Sequence, residues 1–288
     1  MKLNPYLSII IAVSFGAFNG VLVKWLDLPS TVITFFRLAV PAVLLFLFVK
    51  LYQKRKIFRG NYKLMLSASV LNALRMFLYF LAFSYTTVAN GVIMLYTWPI
   101  FGSIFGVLLL KEKNKLKEWL LISLAFLGVV TMMAGQELSF SNKDLLGMAI
   151  MLTSAAIYSI TVIIFKKESN EYSPVETIFY QSIVGAVLFS PFIIFHKEVL
   201  TLANSLISMA HFGLLVGIGS FVLIFSALKK LKMLHFSLTN YWEVVAGVLY
   251  GIIILAERPT WNMAVGGSMI VLAGILLIYR TRSADSPT

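Results

Sequence analysis

The chain has 288 residues, of which 59% are hydrophobic and only 12% charged, against about 45–50% and about 25% in soluble domains. It has no cysteine, which excludes disulfides, thiolate metal sites and thiol nucleophiles, and no Gly-rich phosphate loop ending in Gly-Lys-Ser/Thr, which excludes a nucleotide-driven motor. The net charge of +12 reads as topology signals facing anionic lipid; no basic stripe sits on a soluble fold, so no nucleic-acid partner is expected.

Taken from the N-terminus, ten apolar stretches predict membrane-spanning helices at 5–23, 31–49, 64–84, 88–109, 118–135, 145–165, 176–195, 207–228, 234–255 and 260–279. Each suits the ~20 residues a helix needs to cross a ~30 Å hydrocarbon core. Together they leave almost no chain for an extramembrane domain. Residues 3–23 carry no charge, longer than the roughly 7–15-residue apolar core of a signal peptide, and no A-x-A site follows, so this stretch is read as a retained span. The uncharged run 76–110 is too long for one crossing, and Ser84-Tyr85-Thr86-Thr87 within it predict a tight hairpin between spans three and four. The start of the uncharged run 199–228 reads as an interfacial segment and the rest as span eight. Tyr6, Trp119, Trp261 and Tyr279 lie near span ends, as aromatic belts do, and His211 and His235 are read as interfacial too.

With the N-terminus inside, 18 of the 24 Lys+Arg fall in inside segments and 4 outside. The densest inside cluster is Lys50, Lys54, Arg55, Lys56, Arg59 and Lys63, and Lys2, Arg280 and Arg282 are also inside. By the positive-inside rule this asymmetry puts both termini in the cytoplasm of a multi-pass protein of the cytoplasmic (inner) membrane.

The two halves resemble each other. Tyr96, Gly102, Gly106 and Glu112 line up with Tyr241, Gly247, Gly251 and Glu257 at a constant offset of 145, and TFFRLAVPAVLLF from Thr34 lines up with TIFYQSIVGAVLF from Thr177 at 143. Five spans per copy is odd, so the second copy (141–288) must be inserted upside down relative to the first (1–140), as in many secondary carriers. The segments FFRLAVPAVLL, TVANGVIMLYTWPIFGSIFGVLLLKEK, LLISLAFLGVVTMM and VLAGILLIY are similar to those of the drug/metabolite transporter superfamily, specifically its EamA-type members. That resemblance covers nearly the whole chain. It implies an all-α integral membrane fold of ten helices in two inverted five-helix repeats, and metabolite or drug movement, often amino-acid efflux, by alternating access. Val244 stands where the family's span-nine proline would match Pro99, and Glu243 precedes it.

A mid-membrane charge costs about 2.5–3.5 kcal/mol on insertion scales, so such residues are functional candidates. Arg75 lies mid-span three, with Asn72 and Tyr79 on the same helix face. Its guanidinium can take a carboxylate through a bidentate fork or pair internally to hold helices together. Glu243 lies mid-span nine with Asn240 on its face and Trp242 beside it. It could bind an ammonium, carry a coupling proton or neutralise Arg75. Tyr96 and Trp98 beside Pro99, Tyr158 in span six and Trp242 in span nine lie away from span ends and could cage a ligand or simply pack. Arg37, nearer the outer end of span two, is read as a helix-packing residue. Two GxxxG faces, Gly102/Gly106 and Gly247/Gly251, are expected to meet each other. Glu112 and Glu257 are read as interfacial ion-pair formers beside Lys111, Lys113 and Arg258.

These residues point to a secondary carrier of a small metabolite, with an amino acid or related zwitterion leading and export the expected direction. Organic cations or drugs are the alternative cargo, and a coupling proton is a possible co-substrate. No nucleophile–base pair or HExxH-type metal site is visible, so no enzyme, cofactor or metal is expected. Monomer and dimer stay open.

Overall fold

A computed structural model describes residues 3–52, 59–134 and 136–285, the side chains of Lys24 and of 280–285 excepted. Lys2, Lys54, Arg55 and Lys56 of the charge pattern lie outside the described residues. Among the described residues, ten helices are long and apolar enough to cross a membrane. They are α1 (Pro5–Val23), α2 (Ser30–Tyr52), α3 (Tyr62–Phe83), α4 (Val88–Leu110), α5 (Leu116–Met133), α6 (Asn142–Asn170), α7 (Pro174–Phe195), α8 (Leu202–Leu228), α9 (Met233–Leu255) and α10 (Trp261–Tyr279). They correspond one for one to the predicted spans.

Local chemistry sets several starts. Asn4 accepts the Tyr6 N–H at 2.9 Å and Pro5 opens α1. Ser141 accepts the Asp144 N–H at 3.2 Å, so α6 begins three residues earlier than predicted. Ser173 and Glu176 form a reciprocal capping box around Pro174. A Thr201–Asn204 box starts α8 at Leu202, so the stretch expected to be an interfacial segment is the first turn of the span.

Several of the described spans are irregular. α1 breaks at Phe18, α2 ends in a π-helix over Phe48–Tyr52, α8 is a π-helix over Met209–Ser220, and α4 and α9 each divide at a tyrosine, Tyr96 and Tyr241. Pro99 accounts for the α4 break, because its ring displaces the carbonyl one turn back and it donates no N–H. α9 breaks at the equivalent position without proline. There Thr239 and Asn240 donate to the carbonyls of His235 (2.8 Å) and Phe236 (2.7 Å), back-bonding that bends helices. Non-helical backbone at this depth is tolerable only where protein or a water-filled cavity surrounds it.

α2 packs along α7 and α5 along α10; α3 packs along α6 and α8 along α1; α4 packs along α6 and α9 along α1. Raising each helix number by five, cyclically, returns the α2–α7 and α5–α10 contacts to themselves, turns α3–α6 into α8–α1 and turns α4–α6 into α9–α1. α5 and α10 approach most closely at Gly128 and Gly266: a Cβ on Gly128 would stand 2.6 Å from the Gly266 carbonyl oxygen. The apolar periphery, including Val43, Leu108, Leu120, Ile194 and Ile253, is exposed and suited to lipid.

The two GxxxG faces do not meet. Gly102 and Gly106 pack against Met233 and Ser237 at the start of α9, whereas among the described residues nothing beyond its own stretch of helix lies within 4 Å of a Cβ placed on Gly247. The offset-equivalents of Met233 and Ser237 are Val88 and Val92, at the start of α4, and Val88 is 70% exposed. The helix ends themselves match closely. Lys111 and Ala256 both adopt φ 55°, and the N–H groups of Glu112 and Glu257 both reach the carbonyls of Gly106 and Gly251 at 3.1 Å.

Candidate functional site

The centre of the bundle collects most of the charged and aromatic candidates. Arg75 donates from Nε to Asn72 Oδ1 at 3.3 Å, and its guanidinium lies 4.2 Å above the Tyr158 ring. Ser154 of α6 donates to the Arg75 carbonyl at 2.8 Å, fixing α3 against α6. Trp98 packs edge-on against Tyr158 at 5.0 Å, and its carbonyl accepts from Ser159 at 2.8 Å. Tyr79 shares the electrostatic surroundings of Arg75 and packs edge-on against Phe80 (5.2 Å) and Phe83 (5.0 Å).

Glu243 opens the second half of α9, where unsatisfied N–H groups at a helix start favour an anion. Tyr96 shares the electrostatic surroundings of this carboxylate, and Gly16 of α1 leaves room beside it, a Cβ there lying 3.3 Å from Glu243 Oε1. Tyr96 in turn stacks on Tyr241 at 6.1 Å and accepts its hydroxyl through the carbonyl at 2.9 Å, joining the two helix breaks. Among the described residues, no opposite charge lies within 4 Å of Arg75, Glu243 or Arg37. The three still feel one another at longer range. Arg75, Tyr79, Tyr96, Tyr158, Glu243 and Arg37 are each half-buried.

Two candidates point elsewhere. The Asn240 amide is spent on its own helix, and Trp242 donates from Nε1 to Ser14 of α1 at 3.0 Å. One residue read as packing joins the centre instead: Arg37 lies with its guanidinium 5.1 Å from the Phe221 ring. The Tyr158 and Phe221 rings on which the two arginines lie also line, with Gln181, Phe225 and Phe236 among others, a space of about 10 Å³. That is room for one water at most, so the aromatic floor is shut.

The end of the bundle that carries Glu112 is tied shut by polar contacts. Glu112 pairs with Lys166 at 3.3 Å and accepts the Met233 N–H at 2.6 Å, rather than pairing with the neighbouring Lys111 or Lys113. Lys166 also donates to the carbonyls of Leu228 (3.1 Å) and Leu231. His235, in the first turn of α9, is buried between the Tyr6 hydroxyl and Glu118, each at 2.8 Å. Arg59 reaches Glu176 at 2.9 Å, which holds the guanidinium above its usual range, and Asn61 reaches Glu168 at 3.2 Å. At the other end Asn90 grips the Ser139 carbonyl (2.6 Å) and His211 meets Asn19 (2.9 Å), but the α4–α9 contact is missing at Gly247.

Residues 3–134 and 145–280 each match the EamA-like transporter family. The chain is 25% identical over 273 residues to an S-adenosylmethionine uptake transporter of Rickettsia bellii, covering 93% of this chain and 91% of that protein. It is 24% identical over 284 residues to the pseudopaline exporter CntI of Pseudomonas aeruginosa, covering 96% of each. It is 24% identical over 234 residues to human solute carrier family 35 member G1, covering 75% of this chain and 61% of that protein. One crystal structure superposes with a TM-score of 0.81 at 16% identity over 98% of both chains, which shows a shared fold.

Proposed function

The chain belongs to the EamA-like transporter family, and we propose that it is a secondary carrier that exports an amino acid or related zwitterion by alternating access. The unequal pair of equivalent contacts carries this reading. Gly102 and Gly106 bear on Met233 and Ser237, while among the described residues their offset-equivalent Gly247 meets nothing beyond its own stretch of helix. Two inverted copies, 1–140 and 141–288, would exchange these arrangements: the α4–α9 contact opens at one end as it closes at the other, around the site between Tyr96 and Tyr241. The charge asymmetry supports a cytoplasmic position for the closed Glu112 end and both termini.

In this site Arg75 takes the substrate carboxylate and Glu243 its ammonium. Asn72 orients Arg75, Tyr96 orients Glu243, and Tyr79, Trp98 and Tyr158 enclose the substrate side chain; Asn240 and Trp242 support the helix break from behind. Glu243 also couples transport to a proton. Exchanging a proton for substrate at this carboxylate predicts that Glu243→Gln, which keeps an oxygen for the ammonium, retains counterflow at higher substrate concentration but loses its response to a pH gradient; an unchanged response would remove the coupling role.

The test is counterflow in liposomes. A Cβ on Gly102 lies 3.1 Å from Ser237 Oγ, so a Gly102→Cys/Ser237→Cys pair is within disulfide reach, and the chain has no other cysteine. Oxidising that pair should abolish saturable counterflow and reduction should restore it. Full counterflow through the oxidised pair would contradict alternating access at this contact.

A further inference from the structure

We propose that Arg37 is a second anion-binding group of the central site, and that the substrate carries two acidic groups beside its ammonium, as an amino dicarboxylate does. The proposal rests on the zwitterion reading above and narrows it.

The backbone holds Arg37 in place. Pro41, one turn on, has no N–H to give the Arg37 carbonyl, so that oxygen loses its helical partner. The π-helical stretch of α8 packs there, and Gly217 comes so close that a Cβ would stand 2.8 Å from the Arg37 carbonyl oxygen. Such π segments recur at functional sites.

The guanidinium is under-used. It has the Phe221 ring at 5.1 Å, but its Nε is buried with no hydrogen-bond partner, and no carboxylate is within ion-pair reach. A helix-tying arginine satisfies its donors, because buried unpaired donors are costly. The groups that act on it are Glu243 of α9, Tyr158 of α6 and Tyr79 of α3, and Arg75 lies in the same surroundings. Two guanidiniums thus share one carboxylate. A simple zwitterion brings no net charge and leaves that excess in place. A substrate with two carboxylates and one ammonium brings one net negative charge and neutralises the site. Arg37 acts on Arg75, and Tyr158, Tyr79 and Glu243 act on both, so the arginines flank one ligand position rather than two.

The experiment is ligand binding to the purified full-length protein in detergent, with aspartate and glutamate against asparagine and glutamine. The acids should bind at least tenfold tighter than the amides. Arg37→Gln should bring acids and amides to equal affinity, and Arg37→Lys, which keeps the charge without the fork, should retain part of the preference. A structural role would shift the melting temperature of both variants and leave the acid-to-amide ratio alone. Equal affinities in the native protein, or a preference that survives Arg37→Gln, would overturn the proposal while leaving the zwitterion site standing. Binding of organic cations with no response to any of the four amino acids would overturn both.

Discussion

At the residue scale, most polar side chains in the spans have named partners. The pairing of Glu112 with the Met233 N–H and Lys166 is a helix cap supplied across the bundle. Glu112→Gln removes the charge that both partners use, and leaving them under-satisfied should cost about 2 kcal/mol, read as a lower melting temperature with a weaker block at the Glu112 end. At the centre, Arg75→Ala should weaken zwitterion binding by about 3 kcal/mol, roughly a hundredfold in Kd, and spare organic cations. Titration calorimetry with both ligand classes checks this. Arg75, Asn72 and Tyr79 could be grouped from sequence because i, i+3 and i+4 spacing fixes a shared face. Arg37 and His235 could not be placed in that way. Their depth depends on the Pro41 distortion and on Tyr6 and Glu118 arriving from distant helices. Arg37 standing one turn before a mid-span proline was the available signal.

At the element scale, helix existence was plain because uncharged runs of span length have few other readings. Ends moved where caps such as Ser141 and Thr201 extend the helix past its apolar run. The break at Tyr96 was legible from Pro99; that at Tyr241 arises from Thr239 and Asn240 bonding back into the helix, which composition hides. The GxxxG motifs were visible, but whom they face depends on the conformation of the whole bundle. The backbone-to-backbone approach of Gly128 to Gly266 belongs to no such motif. It sets a contrast between two substitutions. Gly128→Val would drive a side chain into backbone 2.6 Å away and should cost at least about 2 kcal/mol. Gly267→Ala meets open space and should be neutral or slightly stabilising, since alanine exceeds glycine in helix propensity by up to about 1 kcal/mol. Thermal melting of both variants tests the pair.

At the scale of the whole molecule, two equivalent ends are in unequal states. The Glu112 end is bound by the α4–α9 contact, the Lys166 clasp and the His235 relay. The Glu257 end keeps the same local turn, with Ala256 in the same left-handed conformation as Lys111, yet lacks the α4–α9 contact. The offset of 145 in the sequence predicts the partners that should meet there: Gly247 with Val88 and Val92. Exchange between the two ends is the central claim, and a distance measured across the open end tests it most directly. Spin labels at cysteines replacing Val88 and Gly247, read by pulsed electron resonance in liposomes, should give a long and a short distance whose populations shift when substrate and a proton gradient are applied. A single distance, unmoved by substrate under conditions that support counterflow, would contradict it.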